Sequence, residues 1–162
     1  MKDIEYKTSS PTQHEYFQLF SSTWWMPVLK VSEDDLKKVF DNTWYWITAY
    51  KDQKIIGAGR LLSGGALYAL ICDIIVISDH QNKRIGSTIL KQLVNKCQKT
   101  NIERVWLFAA PGKAEFYEKY GFSIRPNEAP GMQLIEFEFQ QWNYVILSST
   151  WDYNCDTFSD KK

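Results

Sequence analysis

The sequence has neither an excess of charge nor a long apolar run. Its 19 Lys and Arg residues balance 19 Asp and Glu residues, so the formal net charge is zero. A balanced chain lacks the basic surface that nucleic acid or an anionic membrane attracts. No apolar stretch reaches the ~20 residues that a transmembrane helix needs, and no basic segment with an apolar core opens the chain as in a secretory signal. We therefore expect neither nucleic acid nor a membrane as a partner.

Cysteine and histidine are scarce as well. The three cysteines, Cys72, Cys97 and Cys155, are an odd number, and with two histidines they form no group with metal-ligand spacing. This pattern predicts reduced thiols in the cytoplasm and no bound metal. With 162 residues, of which 44% are apolar and 23% charged, the chain suits one globular domain that buries most of its apolar surface.

The stretch Asp73–Gly86 leads from an apolar strand, predicted over Leu67–Ile77, through a polar turn into a helix. The helix should run from Ser87 to about Thr100, because its apolar residues recur with a period of 3.6: Ile85, Ile89, Leu90, Leu93, Val94 and Cys97. A second apolar run, Val105–Ala109, completes a parallel strand–helix–strand crossover. Ligands bind at the carboxyl edge of such strands, and the free amides of a helix start favour an anion. An ordinary capped helix start that binds nothing is the alternative interpretation of this turn.

Two short motifs carry a family resemblance. Gln81-Asn82-Lys83-Arg84-Ile85-Gly86 fits the pyrophosphate-loop frame Gln/Arg-x-x-Gly-x-Gly/Ala, and Phe116-Tyr117-Glu118-Lys119-Tyr120-Gly121-Phe122 fits Phe-Tyr-x-x-x-Gly-Phe. With both motifs in this order, roughly residues 47–139 resemble the GNAT superfamily of acetyl-CoA-dependent N-acetyltransferases. Two positions depart from the family pattern: Arg84 stands where the first glycine is usual, and Ala110 stands where many members have asparagine.

The resemblance implies an α/β fold of the mixed α+β kind. Its sheet would have six to seven mostly antiparallel strands with a central, splayed parallel pair, together with about four helices. We assign residues 1–140 to this single domain and 141–162 to a C-terminal extension. The extension is expected to add a strand at 143–147 or to cover a sheet edge, in the same chain or in a homodimer partner. Local patterns predict further strands at 4–7, 43–50, 54–62, 122–125 and 132–139, and helices at 12–22 and from Ser32 onward.

Acetyl-CoA, the co-substrate that the resemblance implies, would be held at two places. The amides of Lys83 to Ser87 would bind the pyrophosphate, and the backbone of Ile75 to Ile77 would pair with the pantetheine arm like an added strand. The same strand backbone would polarise the thioester carbonyl. The implied coenzyme-binding residues are Ile75, Val76, Ile77, Gln81, Asn82, Lys83, Arg84, Ile85, Gly86 and Ser87.

The resemblance also implies catalytic roles. Tyr117 would protonate the departing thiolate; packing of the helix on the sheet is the alternative role for this residue. A primary amine is neutral in only about one molecule in 2,500 at pH 7, so a base must remove a proton before attack. Asp73 is the candidate base, because a carboxylate in an apolar strand is costly unless it is functional or hydrogen-bonded. A purely structural role, in which Asp73 ties down the adjacent loop, is the alternative.

The acceptor side is expected to include Trp24, Trp25 and Met132. Aromatic walls suit an arylalkylamine or an ammonium group held by cation–π contact, whereas the acidic residues of the chain suit a polyamine. The predicted function is acetyl transfer from acetyl-CoA to a primary amine of a small molecule, by direct attack in a ternary complex. Two alternatives remain open: a protein or peptide N-acetyltransferase with an open acceptor groove, and a noncatalytic acetyl-CoA-binding module.

Overall fold

The structure, a computed structural model, describes residues 4–23, 26 and 31–132. The chain divides into two compact units, Met1–Ile124 and Arg125–Lys162. All regular elements given below belong to the first unit, and residues 125–132 are the described part of the second. None of the helices in the described ranges is long and apolar enough to cross a membrane.

The first unit is built on one mixed sheet whose strands follow chain order. The strands are β1 Glu5–Lys7, β2 Tyr45–Lys51, β3 Lys54–Ser63, β4 Tyr68–Val76 and β5 Arg104–Leu107. The helices are α1 Gln13–Ser21, α2 Lys37–Asp41, α3 Ile85–Lys99 and α4 Ala114–Glu118, and a short 3₁₀ turn spans Ser78–His80. Neighbouring strands are antiparallel except for the parallel pair β4–β5. The predicted mixed fold with one parallel pair is confirmed, with five strands in the described residues rather than six to seven.

Two predicted elements are wrong. Residues 122–125 form no strand; the alternation of Phe122 and Ile124 with polar residues is too short to specify one, and Ile124 is exposed. The second helix begins at Lys37 and not at Ser32. There the Asp35 carboxylate accepts hydrogen bonds from the Ser32 amide and hydroxyl, and the same hydroxyl accepts one from the Asp35 amide. These bonds complete a local turn, and the regular helix follows it. The predicted strand at 132–139 lies outside the described residues except for Met132, and the predicted strand at 143–147 lies outside them entirely.

Local signals explain the other boundaries. Thr12 caps α1, because its hydroxyl accepts from the Glu15 amide while the Glu15 carboxylate accepts from the Thr12 amide. The β2–β3 hairpin turns at Asp52 and Gln53, both with positive φ, as a tight hairpin turn of two residues requires. Both features lie at boundaries of elements predicted from the sequence, the helix at 12–22 and the strands at 43–50 and 54–62.

Helix α3 covers one face of the sheet. Its buried side chains form the main core with residues of β2, β3 and β4: Ile47, Ala49, Ile56, Leu61, Ala69, Ile71, Ile85, Ile89, Leu90, Leu93 and Cys97. The helix approaches β3 so closely that a Cβ added to Gly59 would lie 2.7 Å from Cγ2 of Ile89. Gly59 therefore sets the distance between α3 and the sheet.

Helices α1 and α2 cover the opposite face. Tyr16 of α1 is fully buried there and packs edge-to-face on Trp46 at 5.1 Å and on Phe40 at 5.7 Å between ring centroids. Such aromatic pairs add about 0.5–1.5 kcal/mol each to the area that they bury. The two faces of the sheet thus have separate cores, and the buried hydroxyl of Tyr16 lies in the second one.

Substitution of Gly59 by alanine should lower the free energy of unfolding by about 1–3 kcal/mol, because the new methyl group overpacks the contact with Ile89. Gly64→Ala is the matched control, since no heavy atom lies within 4 Å of an added Cβ there. Urea denaturation of both variants measures the difference. Equal unfolding free energies for the two variants would contradict the close approach of α3.

Candidate active site

Strand β4 leaves its parallel partner halfway along its length. Pairing between β4 and β5 runs from Tyr68–Arg104 to Ile71–Leu107 and ends there, while β4 continues to Val76. Beyond this point β4 remains paired with β3. Among the described residues no strand pairs with the other edge of β4 at residues 72–76. This edge is therefore suited to an extended ligand that can form hydrogen bonds with the backbone.

A β-bulge lies where the two strands part. Asp73 has a φ of 52°, and the register between β3 and β4 shifts between Ala58 and Arg60. A bulge of this kind inserts an extra residue, bends the strand and redirects its side chains. The bulge explains why β4 diverges from β5 although it keeps its antiparallel partner.

Helix α3 follows the turn after β4, and no side chain caps its amino terminus. Arg84 precedes the helix with φ 63° and ψ 10°, a left-handed conformation, and its side chain makes no capping hydrogen bond. The first-turn amides of Ile85, Gly86 and Ser87 consequently have no side-chain cap. The ordinary capped helix start considered from the sequence does not describe this turn. Bare amides and the positive end of the helix dipole favour an anionic group here.

Side chains within the turn hold its shape and leave room beside the helix start. The Gln81 side-chain amide donates to the Val76 carbonyl at 3.0 Å, and Lys83 Nζ donates to the Asp79 carbonyl at 2.7 Å. A Cβ added to Gly86 would meet no atom closer than Val76 Cγ2 at 3.6 Å and Phe116 Cζ at 3.9 Å. Packing within the chain therefore does not require glycine at position 86. The bare backbone instead fits the close approach of a phosphate.

Tyr117 lies on the short helix α4. Its ring packs edge-to-face on Phe116 at 5.0 Å and on Phe122 at 6.2 Å, and it borders the core beneath α3. Gly121, with a φ of 87°, ends this segment in the left-handed conformation expected for a glycine after a helix. Burial raises the pKa of the Tyr117 phenol above its ordinary value. The phenol is therefore a neutral proton donor across the neutral pH range.

The Asp73 carboxylate is engaged by two donors. The Tyr16 hydroxyl donates to Oδ2 at 2.6 Å, and Arg60 Nε–H donates to the same oxygen at 2.5 Å. Arg60 also donates through Nη1 to the Thr43 hydroxyl at 3.3 Å. Sequence analysis missed Tyr16 and Arg60 as partners. An available signal was Arg60 itself, because a charged residue in an apolar strand needs a partner when it is buried.

Cys72 lies next to Asp73 and is not a nucleophile in this setting. Burial and the neighbouring charge of Asp73 raise the pKa of its thiol to about 11. Because the thiolate is the reactive form, a thiol with this pKa is almost fully inactive near pH 7. This argues against a covalent acetyl-cysteine on the path of any acyl transfer at the site.

The described structure does not test the predicted acceptor residues. Trp24 and Trp25 lie outside the described residues. Met132 belongs to the second unit, where its side chain is 89% exposed. Within the described ranges no group of His, Cys, Asp and Glu side chains could hold a metal ion.

Comparison with solved structures identifies the fold class. A GNAT family acetyltransferase from Streptococcus pneumoniae superposes with a TM-score of 0.69 at 20% sequence identity, covering 84% of this chain and all of that one. The bulged, splayed strand and the helix start after it thus belong to an acetyltransferase fold. Residues 11–122 match the profile of the acetyltransferase (GNAT) family. The chain belongs to this family.

Relatives of this chain in sequence are named N-acetyltransferases. The uncharacterized N-acetyltransferase ycf52 of Gracilaria tenuistipitata var. liui is 27% identical over 125 residues, which cover 74% of this chain and 66% of that protein. The protein of the same name from Pyropia yezoensis is 31% identical over 81 residues, or 50% of this chain and 47% of that protein. This chain therefore spans about half to two thirds of the length of these relatives.

Arg84→Gly should be more stable to unfolding than Arg84→Ala by about 0.5–1 kcal/mol. The left-handed conformation costs a residue with a Cβ ~1–2 kcal/mol, which exceeds the ~0.5–1 kcal/mol of additional backbone entropy that glycine loses on folding. Both variants lose the same side-chain charge, so their difference in urea denaturation isolates the backbone conformation at position 84. A glycine variant no more stable than the alanine variant would show that this conformation is not strained.

Proposed function

We propose that this protein transfers acetyl from acetyl-CoA to a primary amine of a small molecule, by direct attack of the amine in a ternary complex. The observation that carries the proposal is the unpaired edge of β4 beyond Ile71, followed directly by the uncapped start of α3 at Arg84. Acetyl-CoA supplies a reactive thioester at one end of an amide-bearing arm and an anionic pyrophosphate at the other. The free strand edge can form hydrogen bonds with the amides of the arm, and the helix start can bind the pyrophosphate.

In this proposal the coenzyme is bound mainly by backbone groups. The amides of Lys83 to Ser87 bind the pyrophosphate, with help from the positive end of the α3 dipole. The backbone of Ile75 to Ile77 pairs with the amides of the arm, and an N–H of this segment polarises the thioester carbonyl as charge develops. The free edge of β4 and the space beside Gly86 support these assignments.

Tyr117 is the proposed acid for the leaving thiolate. The ordinary pKa values of a phenol, ~10, and of a thiol, ~8.5, are close enough to allow direct proton transfer between the two groups. Burial raises the pKa of Tyr117, so the hydroxyl stays protonated until it donates its proton to the departing thiolate. Its neighbour Phe116 lies close to Gly86 of the helix start, which supports a role beside the coenzyme.

Asp73 is the proposed acceptor of the amine proton. A primary amine has an ordinary pKa near ~10.4 and attacks only after it has lost a proton. Tyr16 and Arg60 fix the Asp73 carboxylate, which supports a defined orientation toward a bound ammonium group. Attack is direct in this scheme because the neighbouring Cys72 thiol, with its pKa raised to about 11, offers no nucleophile.

We also propose that Trp24, Trp25 and Met132 contact the acceptor. Large apolar side chains suit the aryl or alkyl part of a small amine, and indole rings attract an ammonium group. A peptide acceptor requires an extended groove instead. The test below includes both classes.

Acetyl-CoA should bind to the protein, and thiol release should follow on addition of an amine. Isothermal titration measures the first step, and a thiol-release assay over arylalkylamines, polyamines, aminoglycosides and amino-terminal peptides measures the second. Turnover with a small amine supports the proposal, whereas turnover with peptides alone identifies a peptide acetyltransferase. Binding without turnover on any acceptor would indicate a noncatalytic module, and absence of binding would refute the coenzyme site.

Replacement of Tyr117 by phenylalanine should reduce kcat by about 100-fold or more, the usual contribution of a general acid. The wild-type rate should decline only above pH ~10, because burial raises the pKa of the acid and the active form is lost as the pH rises past it. The variant should lack this alkaline decline. Tyr120→Phe is the matched control, since Tyr120 also packs on Phe116, at 5.4 Å. A pH–rate profile of Tyr117→Phe that coincides with that of the control would exclude Tyr117 as the acid.

A further inference from the structure

Asp73 adopts a backbone conformation that is unusual inside a strand. Its φ of 52° lies in the left-handed region, which residues with a Cβ rarely enter, and it does so inside a strand. Such residues persist when surrounding interactions over-determine them, and they concentrate at functional sites. The conformation of Asp73 therefore requires interactions of its side chain with the surrounding structure.

Two groups from different elements meet at the Asp73 carboxylate. Tyr16 reaches Oδ2 from α1, and Arg60 reaches the same oxygen from β3. The side chains of Arg60 and Asp73 are only 13% and 19% exposed, and Tyr16 is fully buried. Hydrogen bonds to a carboxylate are roughly twice as strong as neutral ones, and weak solvation increases their effect. The conformation of Asp73 is thus fixed from two sides.

The bulge at Asp73 determines the geometry of the β4 edge at residues 72–76, the edge that has no strand partner in the described residues. Pairing with β5 stops at Ile71, two residues before Asp73, and Ile74–Val76 follows directly, paired with β3 at Ile75 and Val76 on one side and with no described strand on the other. Because the bulge sets the direction of the chain that leaves it, a change of conformation at Asp73 would rotate the amides of this segment. A shift of about 1 Å in a catalytic group is enough to cost ~100-fold in rate.

We propose that Tyr16 and Arg60 are positioning residues for acetyl transfer: by binding Asp73 they hold the bulge that separates β4 from β5 and orients the amides of Ile74–Val76. The inference rests on the proposed function, because Ile75 and Val76 belong to the segment Ile75 to Ile77 that is assigned to the coenzyme arm. It also makes α1 part of the active-site framework, since Tyr16 joins this helix to the bulge through a single hydroxyl group. Tyr16 remains a neutral donor in this role, because burial raises the pKa of its phenol well above the ordinary value.

Tyr16→Phe removes this hydroxyl and keeps the ring that packs on Phe40 and Trp46. Tyr50→Phe is a closely matched control. Tyr50 is buried in the same cluster, and its hydroxyl also joins the sheet to α1, but it donates to Glu15 Oε2 at 3.3 Å and not to Asp73. Both substitutions remove one link between α1 and the sheet.

We expect both variants to melt at lower temperature than the wild type, and only Tyr16→Phe to impair the site. In that variant the Kd of coenzyme A, measured by isothermal titration, should rise about tenfold, and kcat should fall about tenfold, each equivalent to the ~1.4 kcal/mol of a tenfold change. Equal Kd and kcat values for the two variants would overturn the inference while the proposed function stood. A wild-type protein that fails to bind coenzyme A would overturn both.

A double substitution separates positioning through Asp73 from a general loss of packing. Asp73→Gly lets the bulge form without side-chain support, because glycine adopts positive φ at no steric cost. In this background Tyr16→Phe should leave the Kd of coenzyme A unchanged. A further tenfold rise on adding Tyr16→Phe would show that Tyr16 does not act through Asp73 and would overturn the inference. The readout is binding alone, so it is independent of any role of Asp73 as a base.

Discussion

The fold depends on where one charged residue of β4 can be buried. Along a regular strand Asp73 would share a face with Ala69 and Ile71, which belong to the apolar core beneath α3. An unpaired carboxylate in that core would cost several kcal/mol. The bulge removes the conflict, because it moves Asp73 to the opposite face, where Tyr16 and Arg60 bind it.

The same bulge lets the strand fill both cores. After Asp73 the alternation resumes with its phase reversed, so that Ile74 borders the α3 core while Ile75 enters the core beneath α1. The apolar residues on either side of Asp73 therefore pack well, although they do not follow a single period of two. Structure and proposed function meet here, because the bulge that resolves the packing conflict lies next to the point where pairing with β5 ends and the edge of β4 becomes free.

Sequence alone predicted the elements whose signals are local. The period of α3, the helix that begins after Thr12 and the strands on either side of Asp52 and Gln53 each depend on residues within a few positions of one another. Features that depend on distant residues were missed. Arg60 and Asp73 lie 13 positions apart and are not direct neighbours in register, since Arg60 pairs with Cys72. Only the register shift brings them together, and no local pattern specifies it.

Arg84 stands where the pyrophosphate-loop motif has glycine, and it keeps the left-handed backbone conformation that glycine would adopt, at a cost in free energy. Its left-handed conformation is the one that glycine adopts freely, and its carbonyl accepts hydrogen bonds from the Thr88 amide and from the hydroxyls of Ser87 and Thr88. These bonds offset part of the ~1–2 kcal/mol that the conformation costs a residue with a Cβ. In return, a permanently charged guanidinium stands at an exposed position beside the amides suited to an anion. Asp73 and Arg84 thus both have positive φ. Buried hydrogen bonds to its side chain stabilise Asp73, whereas hydrogen bonds to its main-chain carbonyl stabilise Arg84.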